Sequence, residues 1–140
     1  MSILWVLLPV FVEVALTFVL LFWSGFHRIG AVRRKEIHIR DIALRQPNWP
    51  QRPTQLTNAF ENQFELPVLF YLLIVLAIFT GKASLFFVIL AWIFVATRLG
   101  HAAIHITHNN VPRRFWWYTA GAVVLAVMWL LFAVQIVLGL

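Results

Sequence analysis

Long apolar runs separated by short polar ones organise this chain. Residues 3–23 are apolar apart from Glu13, with Pro9 as a kink candidate, and reach the roughly 20 residues that carry a helix across a bilayer core. A polar stretch follows over residues 27–55. Asn48-Trp49-Pro50 and Arg52-Pro53 make its second half irregular, because proline removes a donor and restrains its neighbour. The apolar runs 66–79 and 85–96 are too short to span alone, and reach spanning length only by continuing as helix through the polar flanks 56–65 and 97–108. Residues 115–138 span unaided. Thr80-Gly81-Lys82-Ala83-Ser84 reads as a tight turn, and Asn109-Asn110-Val111-Pro112 separates the last two spans, with proline ahead of a helix start. The pattern predicts an all-α, integral membrane four-helix bundle forming one domain over 1–140. Its helices are expected near 3–26, 56–80, 84–108 and 113–138.

Composition sharpens this picture. Hydrophobic residues make up 62% of the chain and charged residues only 11%, against about 25% charged in soluble domains. A globule of this size cannot hide so much apolar surface from water, so its solvent is lipid. Net charge is +6, but the basic residues Arg28, Arg33, Arg34, Lys35, Arg40, Arg45 and Arg52 crowd into the first loop. That placement fits membrane topology or anionic headgroups better than nucleic acid. Arg113 and Arg114 lie in the third loop and only Lys82 in the second, so loops one and three are expected in the cytoplasm and both termini on the other side. The first span is too long for a secretory signal and lacks a basic start. The absence of cysteine excludes disulfides, thiolate metal sites and a cysteine nucleophile.

By parity, the polar ends of the second and third spans share the side of loops one and three. Polar groups at membrane depth are tolerated only inside protein or beside a watery cavity, so a shared cavity is expected there. Asn58, Asn62 and Glu65 form one stripe of the second span, with Glu61 four residues before Glu65. Pro67 removes the hydrogen bond normally made to the Gln63 carbonyl. Arg98, His101 and His105 form a stripe of the third span, and Arg114 and Tyr118 an i, i+4 pair on the fourth. Together these groups suit a small, multiply charged ligand. Blander readings exist for each. Arg98 with Glu65 or Glu61 is also the pattern of an interhelical ion pair, and Trp116 and Trp117 that of an interfacial belt. Glu13 reads as a group hydrogen-bonded to a neighbouring helix or subunit. His101, His105 and His108 with Glu61 and Glu65 resemble a metal set only weakly, and no metal ligand is assigned.

Asn62-x-x-Glu65 followed by Pro67, then Arg98-x-x-His101-x-x-x-His105, then Arg114-x-x-x-Tyr118, resembles the membrane-associated proteins in eicosanoid and glutathione metabolism, the MAPEG family. The likeness covers nearly the whole chain, and residues 62–71 look especially like bacterial members. The resemblance implies a homotrimer, in the bacterial inner membrane, with glutathione bound between neighbours near the cytoplasmic face. It assigns glutathione contacts to Asn62, Glu65, Arg98, His101, His105, Arg114 and Tyr118, and to an arginine at the end of the first span, for which Arg28 is the better match and Arg33 the alternative. Arg114 and Tyr118 take the catalytic roles, and the cosubstrate is a hydrophobic small molecule arriving from the membrane lipids. Asn58, Glu61 and Phe115 depart from the family's prostaglandin synthase, which has arginine, arginine and serine there.

The function expected is a glutathione-dependent transferase or peroxidase acting on hydrophobic electrophiles. Its rivals are a non-enzymatic protein that binds lipid or accompanies a larger membrane complex, and a metal-dependent membrane oxidase.

Overall fold

The computed structural model describes residues 2–45 and 47–140. Helix α1 (Ile3–Arg33) starts at Ser2, whose side chain accepts from the Leu4 amide at 3.3 Å. It runs past the expected end near 26, because nothing from His27 to Arg33 breaks it. The left-handed Lys35 (φ 56°) does, just after the cap at Arg34. The basic loop then turns back on itself through a short 3-10 turn, Ile39–Ile42. Two cation–π contacts tie this end of the fold together: Arg28 lies 4.6 Å from the Trp49 ring and Arg52 lies 5.4 Å from the Trp23 ring.

The second span is not one helix. It comprises α2 (Gln51–Glu61), a 3-10 turn (Asn62–Phe64) and α3 (Leu66–Thr80). Pro67 cannot donate to the carbonyl four residues earlier, and its ring crowds that carbonyl, so the α-helical ladder yields here. Helix α3 ends at left-handed Gly81 (φ 69°), a conformation glycine adopts without a Cβ clash. Ser84 caps α4 (Leu85–Ile106) and Asn110 caps α5 (Val111–Leu138), each accepting a backbone amide three residues on. Among the described residues there are four helical spans long and apolar enough to cross a membrane, and no strands. The chain is an integral membrane protein.

Helix α4 is the central element: 50% of its most apolar window is buried, against 17% for α5 and 22% for α1. The core stacks Phe70 of α3 on Phe94 of α4 at 4.7 Å and packs Leu125 and Met128 of α5 against them. Helices α4 and α5 approach closely through glycine. A Cβ on Gly100 would stand 2.6 Å from the Trp117 ring, and one on Gly121 would stand 2.7 Å from Thr97 Oγ1. Small residues at a membrane helix contact let the backbones close in. Trp117, read from sequence as an interfacial group, therefore serves the α4–α5 contact. Where α1 meets α2, Ser24 and Thr57 share a buried hydrogen bond of 2.7 Å. At the opposite end of the bundle, Lys82 donates to the carbonyl of Leu140, placing the second loop beside the end of α5.

Candidate functional site

The break in the second span shapes the site. Asn62 opens the 3-10 turn, and its carbonyl accepts the Glu65 amide at 3.3 Å and the Arg98 Nη2 at 3.3 Å. Arg98 Nη2 also donates to Asn62 Oδ1 at 3.2 Å. The sequence marks the Gln63 carbonyl as the acceptor freed by Pro67, but the carbonyl that takes the guanidinium is the one before it. Arg98 is almost fully buried, so these bonds lie beneath the surface and hold Asn62 from below.

Helix α2 is tied to the end of α4 by its own side chains. Gln55 Nε2 donates to the carbonyls of His105 (2.7 Å) and Thr107 (3.0 Å), and Arg52 donates to that of Ile106. The last carbonyls of a helix lack intrahelical partners, and here a neighbouring helix supplies them. The imidazoles of His101 and His105 are thereby held in the same space. Both are buried, their ring centroids lie 5.7 Å apart, and neither Nδ1 has a hydrogen-bond partner.

Helix α5 brings the remaining groups. The Tyr118 ring lies 5.6 Å from that of His101, and its hydroxyl donates to Glu65 Oε2 at 3.4 Å. That distance is long for a hydroxyl–carboxylate bond, so a ligand can displace it readily. Arg114 Nη1 donates to Asn109 Oδ1 at 2.7 Å and takes part in no ion pair among the described residues, so its charge is available to an anion. Asn109 was not singled out from sequence. It sits in the left-handed region (φ 50°), where asparagine is tolerated, and its amide bonds the Ile104 carbonyl at 2.8 Å. An asparagine directly after a helix end was the available signal.

These side chains surround a cavity of about 410 Å³, within the roughly 300–1,000 Å³ of ordinary small-molecule sites. Asn62, Glu65, His101, His105, Arg114 and Tyr118 line it, joined by Asn58, Glu61, Val111 and Phe115. Asn58, Glu61 and Glu65 are exposed at its mouth. Arg98 does not line it but supports Asn62 from behind. Arg28 lies outside it, against Trp49. No group of three or more His, Asp or Glu among the described residues is arranged to hold a metal ion. The cavity thus offers acids for a cation, one unpaired guanidinium for an anion, amides for a peptide and a loosely held phenol.

A family model described as the MAPEG family matches residues 6–134. No curated protein and no solved structure matches the chain.

Proposed function

The chain belongs to the MAPEG family, and on that premise we propose that it is a glutathione-dependent transferase or peroxidase-like enzyme acting on hydrophobic electrophiles. The observation that carries this reading is the single cavity where Glu65, His101, His105, Arg114 and Tyr118 converge at one end of a membrane-spanning bundle. Glutathione offers an ammonium, two carboxylates, two amides and a thiol. The ammonium suits Glu65, the amides suit Asn58 and Asn62, and an anionic group suits the unpaired Arg114. The free thiol titrates near about 8.5 and reacts as thiolate. Arg114 beside the sulfur favours the thiolate electrostatically, and the Tyr118 hydroxyl, released from Glu65, donates to it. The thiolate then forms a bond to the electrophilic atom; in a substitution the electron pair of the bond broken there leaves with the departing group, and in an addition the π pair moves to the neighbouring atom, which is protonated.

One subunit's cavity holds more acid than base, with Glu61 and Glu65 against Arg114. A dianionic peptide needs a further cation. Arg28 of a neighbouring subunit is the proposed source in a homotrimer whose sites lie at the subunit contacts. In this reading the bundle lies in the bacterial inner membrane with the cavity toward the cytoplasm, as the crowding of basic residues in the first loop favours.

Purified protein mixed with glutathione and a chromogenic electrophile should release product faster than detergent buffer alone. Arg114→Ala should lower that rate by about 100-fold, the usual scale for losing one preorganised electrostatic group, while leaving the oligomer as stable as wild type. A wild type no faster than buffer with several thiols would end the enzymatic reading. A lipid found as the tightly held ligand by native mass spectrometry would then favour a lipid-binding role.

A further inference from the structure

Beneath the cavity, inside the membrane-spanning part of the bundle, lie two ionisable groups that the proposed chemistry does not use directly. Glu13, in the first half of α1, is 0% exposed, and neither carboxylate oxygen has a hydrogen-bond partner. Arg98 on α4 is 1% exposed. Its Nε and Nη1 have no partner, and only Nη2 is engaged, on Asn62. A buried ion in a lipid-embedded interior is strongly disfavoured unless an opposite charge faces it. For each of these two, the other is that charge. Leu16 and Leu20 of α1 pack with Ala102 of α4, which brings Glu13 and Arg98, each about one turn before those contacts, to the same level of the bundle, where each stands in the electrostatic field of the other. The Tyr71 hydroxyl of α3 lies in the field of both. No direct ion pair joins them among the described residues, so the attraction acts without contact.

The sequence invites a pairing of Arg98 with Glu65 or Glu61. Both acids instead stand exposed at the cavity mouth, where water weakens their hold, and Glu65 faces Tyr118. The buried acid on α1 is the one whose charge has no other use.

We infer that Glu13 is a positioning residue, the counter-charge that holds the Arg98 guanidinium in place so that its Nη2 fixes Asn62 at the cavity floor. Glu13 touches no ligand. It acts through Arg98 on the amide and carbonyl of Asn62, coupling the middle of α1 to the break in the second span. The effect on ligand affinity rests on the proposed function; the coupling between Glu13 and Arg98 does not.

The test is a double-mutant cycle with a binding measurement. Thermal unfolding in detergent is compared for wild type, Glu13→Gln, Arg98→Gln and the double variant. Each single change leaves one buried charge uncompensated and should lower the midpoint by roughly 10 °C, whereas the double variant should unfold above the weaker single. A double variant no more stable than the weaker single, or one that fails to fold, overturns the inference. In the binding arm, Glu13→Gln should raise the glutathione dissociation constant by about tenfold, with Glu13→Asp recovering most of the loss. Unchanged affinity in Glu13→Gln removes the positioning role. If wild type binds no glutathione, the proposed function fails, and the unfolding cycle alone decides whether Glu13 holds Arg98.

Discussion

Arg98 and Arg114 bring the same guanidinium to the same end of the bundle, and their surroundings give them different tasks. Arg98 is enclosed and spends its one engaged nitrogen on Asn62, whereas Arg114 is half-buried and held by a neutral amide. A neutral tether fixes position without cancelling charge, which is what an anion-stabilising group requires. Asn109 should therefore matter to turnover although no reacting atom touches it. Asn109→Gly keeps the left-handed backbone and deletes only the amide. It should lower the rate of thiol transfer by about tenfold, the scale of one hydrogen bond to a charged group, with an unfolding midpoint close to wild type. Equal turnover in the variant would show that Arg114 is held by something else. At this scale the sequence was legible where spacing alone decides direction: His101 and His105 share a helix face at any tertiary arrangement, as do Arg114 and Tyr118. It marked Asn109 only as part of a turn, not as the tether of Arg114, and was silent on the partner of Glu13, which lies on another helix.

Two elements were only partly legible for a related reason. Pro67 announces a disturbance of the second span, and local chemistry points to the carbonyl four residues back. Which carbonyl takes a donor depends on the incoming Arg98, and that is a property of α4, not of the segment itself. The contact between α4 and α5 was equally hidden, since a glycine inside an apolar run carries no sign of what faces it. Structure supplies the reason for Gly100: the Trp117 ring occupies the space of its missing Cβ at 2.6 Å. A rigid indole cannot shift by bending one torsion, so Gly100→Ala must push α5 outward or turn the ring. Overpacking of this kind costs about 1–3 kcal/mol, and Tyr118, one residue beyond the tryptophan, moves with it. The expected result is a lower unfolding midpoint together with a raised KM for glutathione. Pairing Gly100→Ala with Trp117→Phe, which exchanges the bicyclic ring for a smaller single one, should restore much of both. Failure of the pair to recover either would show that the close approach is incidental.

For the molecule as a whole, the two ends of the bundle differ in kind. One end carries the basic loop, the cavity and the aromatic–arginine contacts, and the other carries little beyond Lys82 on the carbonyl of Leu140. Helices α1 and α5 leave most of their apolar windows uncovered within one subunit, which leaves room for lipid and for the neighbours proposed above. Orientation follows from charge, because basic loops resist transfer across the membrane while the potential favours keeping them inside. The chain contains no cysteine, so a single introduced thiol reports its own side without background. His38 is exposed in the basic loop and Leu140 is exposed at the far end, and neither substitution alters the count of Lys and Arg that sets orientation. A membrane-impermeant maleimide should label Leu140→Cys in intact spheroplasts and His38→Cys only in inverted vesicles. The opposite pattern would turn the cavity toward the periplasm, away from the cytoplasmic glutathione it is proposed to use. Because the three spans α2–α3, α4 and α5 lie between the two thiols, they must report opposite faces; labelling of both from one side would require an even number of crossings and would break the bundle's topology.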